Sequence, residues 1–321
     1  MGILFAQNSA LRIGLETTWG TSQTSTTEDV RIVSSTLQVS QTRERRTHLS
    51  VPTSGMLSGT FDGFREAGGT IDLPVMYDGI GMLFKAALGN LSTAAGTPNV
   101  HTYTPSFDLP SMTIQFQRGT NLSNSMEKFT GCKVSSMTIS VEAGSEMTAS
   151  FDIISKDAAA RGALSPAIAL PAHDEVLHFE SGQLAFGSSF TQTALDIRSL
   201  ELTLDNKLDR RNLLGSKLTG EPVPTDVREV TMSVTCDLSD NDVYNDSLAG
   251  TADDVSIRFT RTANNTHEFN ILLSNANIED YNDNITAFGR VERTFTIRGF
   301  ANATNAGLTI TIKNANSSGE Y

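Results

Sequence analysis

The sequence has little cysteine, little tryptophan and few charged residues. Two cysteines and one tryptophan occur in 321 residues, and charged residues make up 19%. A secreted disulfide scaffold uses more cysteine, so Cys132 and Cys236 are predicted to be reduced thiols. The N-terminus lacks a basic segment followed by a long apolar run, and no apolar stretch approaches the about 18 residues of a membrane span. We therefore expect a protein made and used in a cytoplasm, with no membrane partner.

Positive charge is scarce as well. The net charge is −12, and most of the acidic excess lies beyond residue 160. Direct binding to nucleic acid needs lysine and arginine against the phosphates, so the composition disfavours it. An acidic wall beside DNA would repel it instead. Simple solubility explains the charge equally well.

Catalytic motifs are also missing. The sequence contains neither a G-x-S-x-G elbow nor a Walker A loop. One local cluster holds residue types that ligate metals, at a spacing that matches no zinc motif: His173, Asp174, Glu175, His178 and Glu180. We read it as a chance cluster and predict no catalytic residue, no cofactor and no metal.

Alternation of apolar and polar residues is the dominant pattern that is present. It runs through 36–40, 112–118, 134–141, 199–205, 230–234, 255–260 and 293–298. Strands with one face on a core show this period of two, so the chain is predicted to be all-β. Two short helices are predicted at 78–88, with Asp78 as N-cap, and at 240–248.

The two halves of the chain resemble each other. Aligning the Arg-Arg pair at 45–46 with that at 210–211 puts Leu37 on Leu202 and Val39 on Leu204. Further matches follow in the same order: 65–66 with 228–229, 70–73 with 231–234, 114–118 with 257–261, and 151–153 with 295–297. The first half carries an additional Gly/Ala/Thr/Pro segment, 91–105, predicted to be a loop. This order predicts a tandem duplication, with an N-terminal arm at 1–29, modules at 30–156 and 179–321, and a linker at 157–178.

Each half also contains a long segment with a basic cluster followed by glycine and proline. These segments are 43–64 and 206–226. Compact domains rarely carry loops of this length without a use. They are either mobile surface hairpins or extended arms that contact a neighbouring subunit.

Three motifs carry a resemblance to a known family. Residues 14–21 read G-L-E-T-T-W-G-T, residues 69–78 read G-T-I-D-L-P-V-M-Y-D before the first helix, and residues 129–141 read F-T-G-C-K-V-S-S-M-T-I-S-V. In this order, and with the acidic, strand-rich second half, they resemble the duplicated major tail tube proteins of long-tailed bacteriophages. The resemblance covers nearly the whole chain.

The resemblance implies a structural virion protein and no enzyme. Its fold would be two tandem β-sandwich or half-barrel modules with short flanking helices, whose sheets pair edge to edge in rings that stack into a tube. A trimeric ring of pseudo-six-fold symmetry is favoured, and a hexamer stays open. The long segments would be stacking arms, with these residues as candidates: Arg43, Arg45, Arg46, Pro52, Arg210, Arg211 and Pro222.

The resemblance also implies a location and partners. The protein would be assembled in the host bacterial cytoplasm and reside in the virion tail, beside tape measure, terminator and baseplate proteins. Double-stranded DNA would pass through the lumen without specific binding. Candidate lumen acids are Glu142, Glu146, Glu201 and Asp205. The alternative is a monomeric β-sandwich binding module, such as a decoration or receptor-binding protein of the virion.

Overall fold

The computed structural model describes residues 9–23, 27–45, 59–119, 125–163, 176–186, 197–238, 242–250, 252–261, 267–283 and 291–317. Within these residues the chain forms antiparallel sheets and two α-helices, which confirms the predicted all-β class. The helices are α1 (Gly81–Leu88) and α2 (Asp242–Ala249).

Strands account for most of the described chain. Those of the first half are β1 (Ala10–Leu15), β2 (Glu28–Val30), β3 (Ser34–Ser35), β4 (Gln38–Arg45), β5 (Thr60–Pro74), β6 (Gly89–Ala94), β7 (Asn99–Pro105), β8 (Met112–Gln117), β9 (Met126–Glu142), β10 (Thr148–Ser155) and β11 (Asp157–Ala158). Those of the second half are β12 (Gly182–Phe186), β13 (Ile197–Asp205), β14 (Leu208–Arg211), β15 (Gly220–Pro224), β16 (Glu229–Asp237), β17 (Asp253–Thr260), β18 (Glu268–Asn282), β19 (Glu292–Gly299) and β20 (Leu308–Asn314).

A central antiparallel sheet runs through both halves of the chain. Its strand order is β4–β5–β10–β9–β13–β16–β19–β18. The pairing of β9 with β13 joins the first half to the second, with Met137 opposite Leu204. The central sheet is therefore one surface to which both halves contribute four strands each.

Two further sheets pack against the central one. The first has the order β2–β1–β8–β9, and the second has the order β12–β17–β18–β20–β7–β6. The long strands β9 and β18 thus belong to two sheets each. Gly131 in β9 has φ +64°, and Asn275 in β18 has φ +53°, so each strand contains one left-handed residue where it passes between sheets.

The order of pairing is the same in the two halves. The first half connects β1–β8–β9–β10–β5–β4, and the second connects β12–β17–β18–β19–β16–β13. Phe151 of β10 lies opposite Ile71, and Phe295 of β19 lies opposite Val234. If Phe151 and Phe295 are equivalent, Ile71 is equivalent to Val234. The sequence alignment of 70–73 with 231–234 had placed Ile71 on Met232, so the structural alignment of β5 with β16 differs from it by two residues.

Helix α1 lies in the core between the halves. The ring centroid of Phe84 is 5.9 Å from that of Tyr103, 6.1 Å from that of Phe151 and 5.8 Å from that of Phe269 in the second half. Asn206 donates one amide hydrogen bond to the carbonyl of Ala87 at 3.0 Å. The helix is therefore enclosed by residues from both halves.

The predicted N-cap and the predicted loop were wrong. Helix α1 begins at Gly81 and has no side-chain cap, while Asp78 accepts a hydrogen bond from the Asn316 amide at 3.0 Å. The segment 91–105 forms most of the β6–β7 hairpin, and β7 pairs with β20, with Tyr103 opposite Ile310. The segment is rich in small and polar residues, and few apolar side chains point inward from it. It therefore lacks the alternating pattern by which strands are predicted.

The boundary segments pack onto the first half. Leu11 and Ile13, in the predicted N-terminal arm, are buried core residues of β1. In the predicted linker, Gly162 bridges to Met126 and His178 bridges to Glu146. The described parts of both segments are therefore continuous with the first half.

Candidate functional surface

The central sheet has one apolar face toward the core and one polar face away from it. In β13, Leu200, Leu202 and Leu204 are buried, whereas Glu201 between them is exposed. We call the outward-facing side chains of β5, β10, β9, β13, β16 and β19 the polar face. Because strand side chains alternate, the register between strands decides which outward residues become neighbours.

Hydroxyl pairs cover much of the polar face. The cross-strand pairs are Ser140 with Thr148 at 3.0 Å, Thr235 with Thr294 at 3.2 Å and Thr138 with Thr203 at 3.5 Å, and Thr36, between β3 and β4, pairs with Thr70 of β5 at 2.8 Å. Each such pair stabilises its sheet by roughly 0.2–1 kcal/mol. The pairs leave a short, uncharged layer of side chains across both halves.

Carboxylates lie among these hydroxyl side chains. By strand register the acids of the polar face include Asp72, Glu142, Asp152, Glu201, Asp205, Glu229, Asp237 and Glu292. The nearby cations Arg198, Lys207 and Arg298 are engaged with acids. Lys207 lies 2.9 Å from Asp205 and 3.0 Å from Glu229, Arg298 lies 2.8 Å from Glu279, and Arg198 pairs with Glu292. The polar face therefore presents hydroxyls and carboxylates, with its cations neutralised locally.

Three of the four acids predicted for a lumen lie together. Glu142, Glu146 and Glu201 line one shallow cavity of about 500 Å³, together with serines such as Ser199 and Ser233. None of the described residues that line it is basic. Asp205 lies farther along β13, where Lys207 neutralises it.

Sequence reasoning missed Asp72 and Asp152. The Asp72 carboxylate accepts hydrogen bonds from Ser150, at 2.6 Å, and from Ser34. Burial raises the pKa of the Asp152 carboxyl, and Arg210 offsets part of the rise. Each acid lies between two core residues of its strand, Asp72 in β5 and Asp152 in β10. This alternation of apolar and acidic residues could have predicted that both acids point away from the core.

The first stacking-arm candidates lie on the β4–β5 hairpin. Arg43 and Arg45 are exposed on β4, and Arg43 lies 3.7 Å from Asp62. Arg46 and Pro52 fall outside the described residues.

The second group lies on the β14–β15 hairpin, which is docked on the first half. Arg210 donates to the carbonyls of Ala67, at 2.7 Å, and Ser155, at 3.3 Å. The backbone of Arg65 donates to that of Lys217 at 2.8 Å. Arg211 and Pro222 lie on the two strands of this hairpin, and Leu214 at its tip is fully exposed.

The 14–21 motif is fastened to the bend of β9. The Glu16 carboxylate accepts four hydrogen bonds, from Gly20 N, Ser111 Oγ and Thr113 Oγ1 at 2.8 Å and from Gly131 N at 2.9 Å. The Trp19 indole donates to the Gly131 carbonyl at 3.2 Å. A Cβ at residue 131 would come within 3.0 Å of the Trp19 side chain, which explains the glycine there.

The described residues offer no group of three or more side chains placed to hold a metal ion. His178 and Glu180 are described, whereas His173, Asp174 and Glu175 fall outside the described residues. Cys132 and Cys236 are buried thiols. In the described parts of the chain, neither helix is long and apolar enough to cross a membrane.

Comparison with known families gives the identity of this sheet protein. A family model described as phage tail tube protein matches residues 6–299. The chain belongs to the phage tail tube protein family. A search of curated proteins found no match. This tail tube protein is accordingly a structural component of the virion tail, and its family implies oligomers that stack into a tube with other tail proteins.

Proposed function

We propose that this tail tube protein assembles into closed rings that stack, and that its polar face lines the lumen through which double-stranded DNA is ejected. The observation that carries the proposal is the continuity of the polar face. It crosses the junction between the halves in register, with Thr138 opposite Thr203 and Ser136 opposite Asp205. One surface of hydroxyls and carboxylates therefore spans the chain.

The chemistry of the polar face suits a conduit for DNA. Phosphate groups bind lysine and arginine and are repelled by carboxylates. The Ser and Thr pairs already satisfy one another across strands, and Lys207 is held by Asp205 and Glu229. DNA that moves along this surface meets few groups that would retain it, so no specific binding is expected.

The ring would be built from two modules in each chain. The shared pairing order of the two halves supports a tandem duplication with modules at 30–156 and 179–321, and the burial of β1 extends the first module to include it. Three two-module chains give a ring of pseudo-six-fold symmetry, which we favour over a hexamer. Open sheet edges favour such closure because they are unfavourable in isolation.

Stacking would use the two hairpins. The β4–β5 hairpin carries Arg43 and Arg45, and the β14–β15 hairpin carries Arg211 and the exposed Leu214. We propose that both contact the next ring, and that the ends of the tube meet tape measure, terminator and baseplate proteins. Assembly would take place in the host bacterial cytoplasm.

Negative-stain electron microscopy of the purified chain across a concentration series tests the proposal. We expect rings or hollow stacked tubes, with end views of three-fold or pseudo-six-fold symmetry. A chain that stays monomeric at the highest concentration, with and without a tail-initiator complex, would contradict it and favour a binding module.

A further inference from the structure

The central sheet ends in two strands whose outer edges carry no partner strand in the described part of the chain. At one end β4 pairs only with β5 over Gln38–Arg45. At the other end the C-terminal part of β18, residues 277–282, pairs only with β19. Open edges present unpaired N–H and C=O groups that another strand can bind.

The junction inside the chain shows how such edges fit together. Strand β9 pairs with β13 in a register that places Met137 opposite Leu204 and Ser136 opposite Asp205. Strand β9 has β10 as its other neighbour, just as β18 has β19. Strand β13 has β16 as its other neighbour, just as β4 has β5. The open edge of β18 is therefore equivalent to the edge of β9 that meets β13, and the open edge of β4 is equivalent to the edge of β13 that meets β9.

The equivalent residues follow from the shared pairings. Met137 and Tyr281 occupy equivalent places, because Met137 lies opposite Phe151 and Tyr281 lies opposite Phe295. The sequence alignment places Val39 on Leu204. Moving one residue along each strand makes Asp280 equivalent to Ser136, and Ser40 equivalent to Asp205.

We propose that β18 of one copy pairs antiparallel with β4 of a second copy in the register of the β9–β13 junction. Tyr281 then lies opposite Val39 of the second copy, and Asp280 lies opposite Ser40 of the second copy. The inference rests on the proposed function and specifies its ring contact. It continues the central sheet from chain to chain with the polar face in phase.

Side-chain exposure on the core side supports this contact. Tyr281 and Val39 are both half-buried at the margin of the core. The Tyr281 ring lies 5.6 Å from that of Tyr244 on α2, and Tyr244 and Leu248 are 43% and 69% exposed. The corresponding helix α1 is almost wholly buried beside the β9–β13 junction. An incoming β4 would cover the apolar patch formed by Tyr244, Leu248 and Tyr281.

Charge favours the same partner. In this register Asp280 lies opposite the uncharged Ser40, and Arg43, farther along β4, lies opposite Asn277, so no like charges face each other at these positions. Pairing two β18 edges would instead bring the aspartates of both copies, Asp280 and Asp283, to the same contact, and like charges placed together repel. A contact between unlike edges is head-to-tail, which is the type that closes rings.

A cysteine pair tests the register. Ser40→Cys and Asp280→Cys are exposed substitutions, and the native thiols Cys132 and Cys236 are buried. On oxidation, we expect the double variant to convert most of its chains into covalent oligomers on a non-reducing gel. A mixture of the two single variants should give a covalent dimer and nothing larger.

A displaced pair provides the control. Glu44→Cys lies on the same strand face four residues from Ser40, about 13 Å farther along β4. Paired with Asp280→Cys, it should leave the chains monomeric on the gel. If electron microscopy shows rings in which only the displaced pair cross-links, or neither pair does, this register is overturned and the proposed function stands. A chain that forms no rings contradicts the proposed function and this contact together.

Discussion

Glu16 shows how a single residue secures the start of the chain. Its two carboxylate oxygens take hydrogen bonds from two backbone amides and two hydroxyls, at a position that is 9% exposed. A buried charge is stable only when it is hydrogen-bonded, and here the donors come from the motif itself, from Ser111 and Thr113 at the start of β8, and from Gly131 at the bend of β9. The motif at 14–21 is therefore a structural clamp between the N-terminal segment and β9.

Replacement of Glu16 by alanine is expected to destabilise the fold by about 3 kcal/mol, because several buried donors lose their acceptor. Chemical denaturation of the purified variant measures this change in the free energy of unfolding. Glu142→Ala, on the exposed end of β9, is the matched control and should change stability by less than about 0.5 kcal/mol. Equal effects of the two substitutions would contradict the clamp.

Asp152 gives a stability change that depends on pH. Burial raises the pKa of its carboxyl above the ordinary value of 3.8, so the folded protein binds this proton more tightly than the unfolded chain does. Ionisation of Asp152 therefore costs stability above the folded-state pKa, and the cost disappears below pH 3.8.

Asp152→Asn should accordingly be more stable than the parent chain at pH 7, and the difference should shrink as the pH falls toward 3.8. Thermal denaturation across this pH range checks the trend. Glu146→Gln, at an exposed position, is the control and should be about as stable as the parent chain at pH 7. A variant less stable than the parent at pH 7 would mean that the attraction of Arg210 outweighs burial.

At the scale of elements, α1 fastens the two halves. Phe84 contacts Phe151 from the first half and Phe269 from the second.

Phe84→Ala should lower the free energy of unfolding by about 3–5 kcal/mol, because it leaves a cavity at this contact. Phe107→Ala is a matched control, since Phe107 is 83% exposed. A loss as large in the control as at Phe84 would contradict this role of α1.

Many of the strands were predictable because they carry their own alternating pattern, as in 134–141 and 199–205, whereas the β6–β7 hairpin lacks it and was predicted as a loop. The division of β9 and β18 between two sheets was not predictable, since it depends on Gly131 and Asn275 adopting positive φ at one point of a long alternating run. The β7–β20 and β9–β13 pairings were also hidden, because residues distant in sequence make them. The β9–β13 pairing also brings Glu142 and Glu201, which are distant in sequence, into one cavity.

At the scale of the whole molecule, the halves form one surface rather than two separate bodies. The β6–β7 hairpin of the first half completes the second half's flanking sheet, and the β14–β15 hairpin of the second half docks on β5. Each chain would therefore enter a ring as a rigid double unit. In the proposed three-chain ring, every second module junction is already made within a chain.

Helical reconstruction of assembled tubes by electron cryomicroscopy tests the central claim most directly. The account predicts that the polar face lines the lumen, with Glu201 and Thr203 directed toward the axis and α1 behind the sheet. A reconstruction in which the polar face points outward, or lies buried between rings, would contradict it.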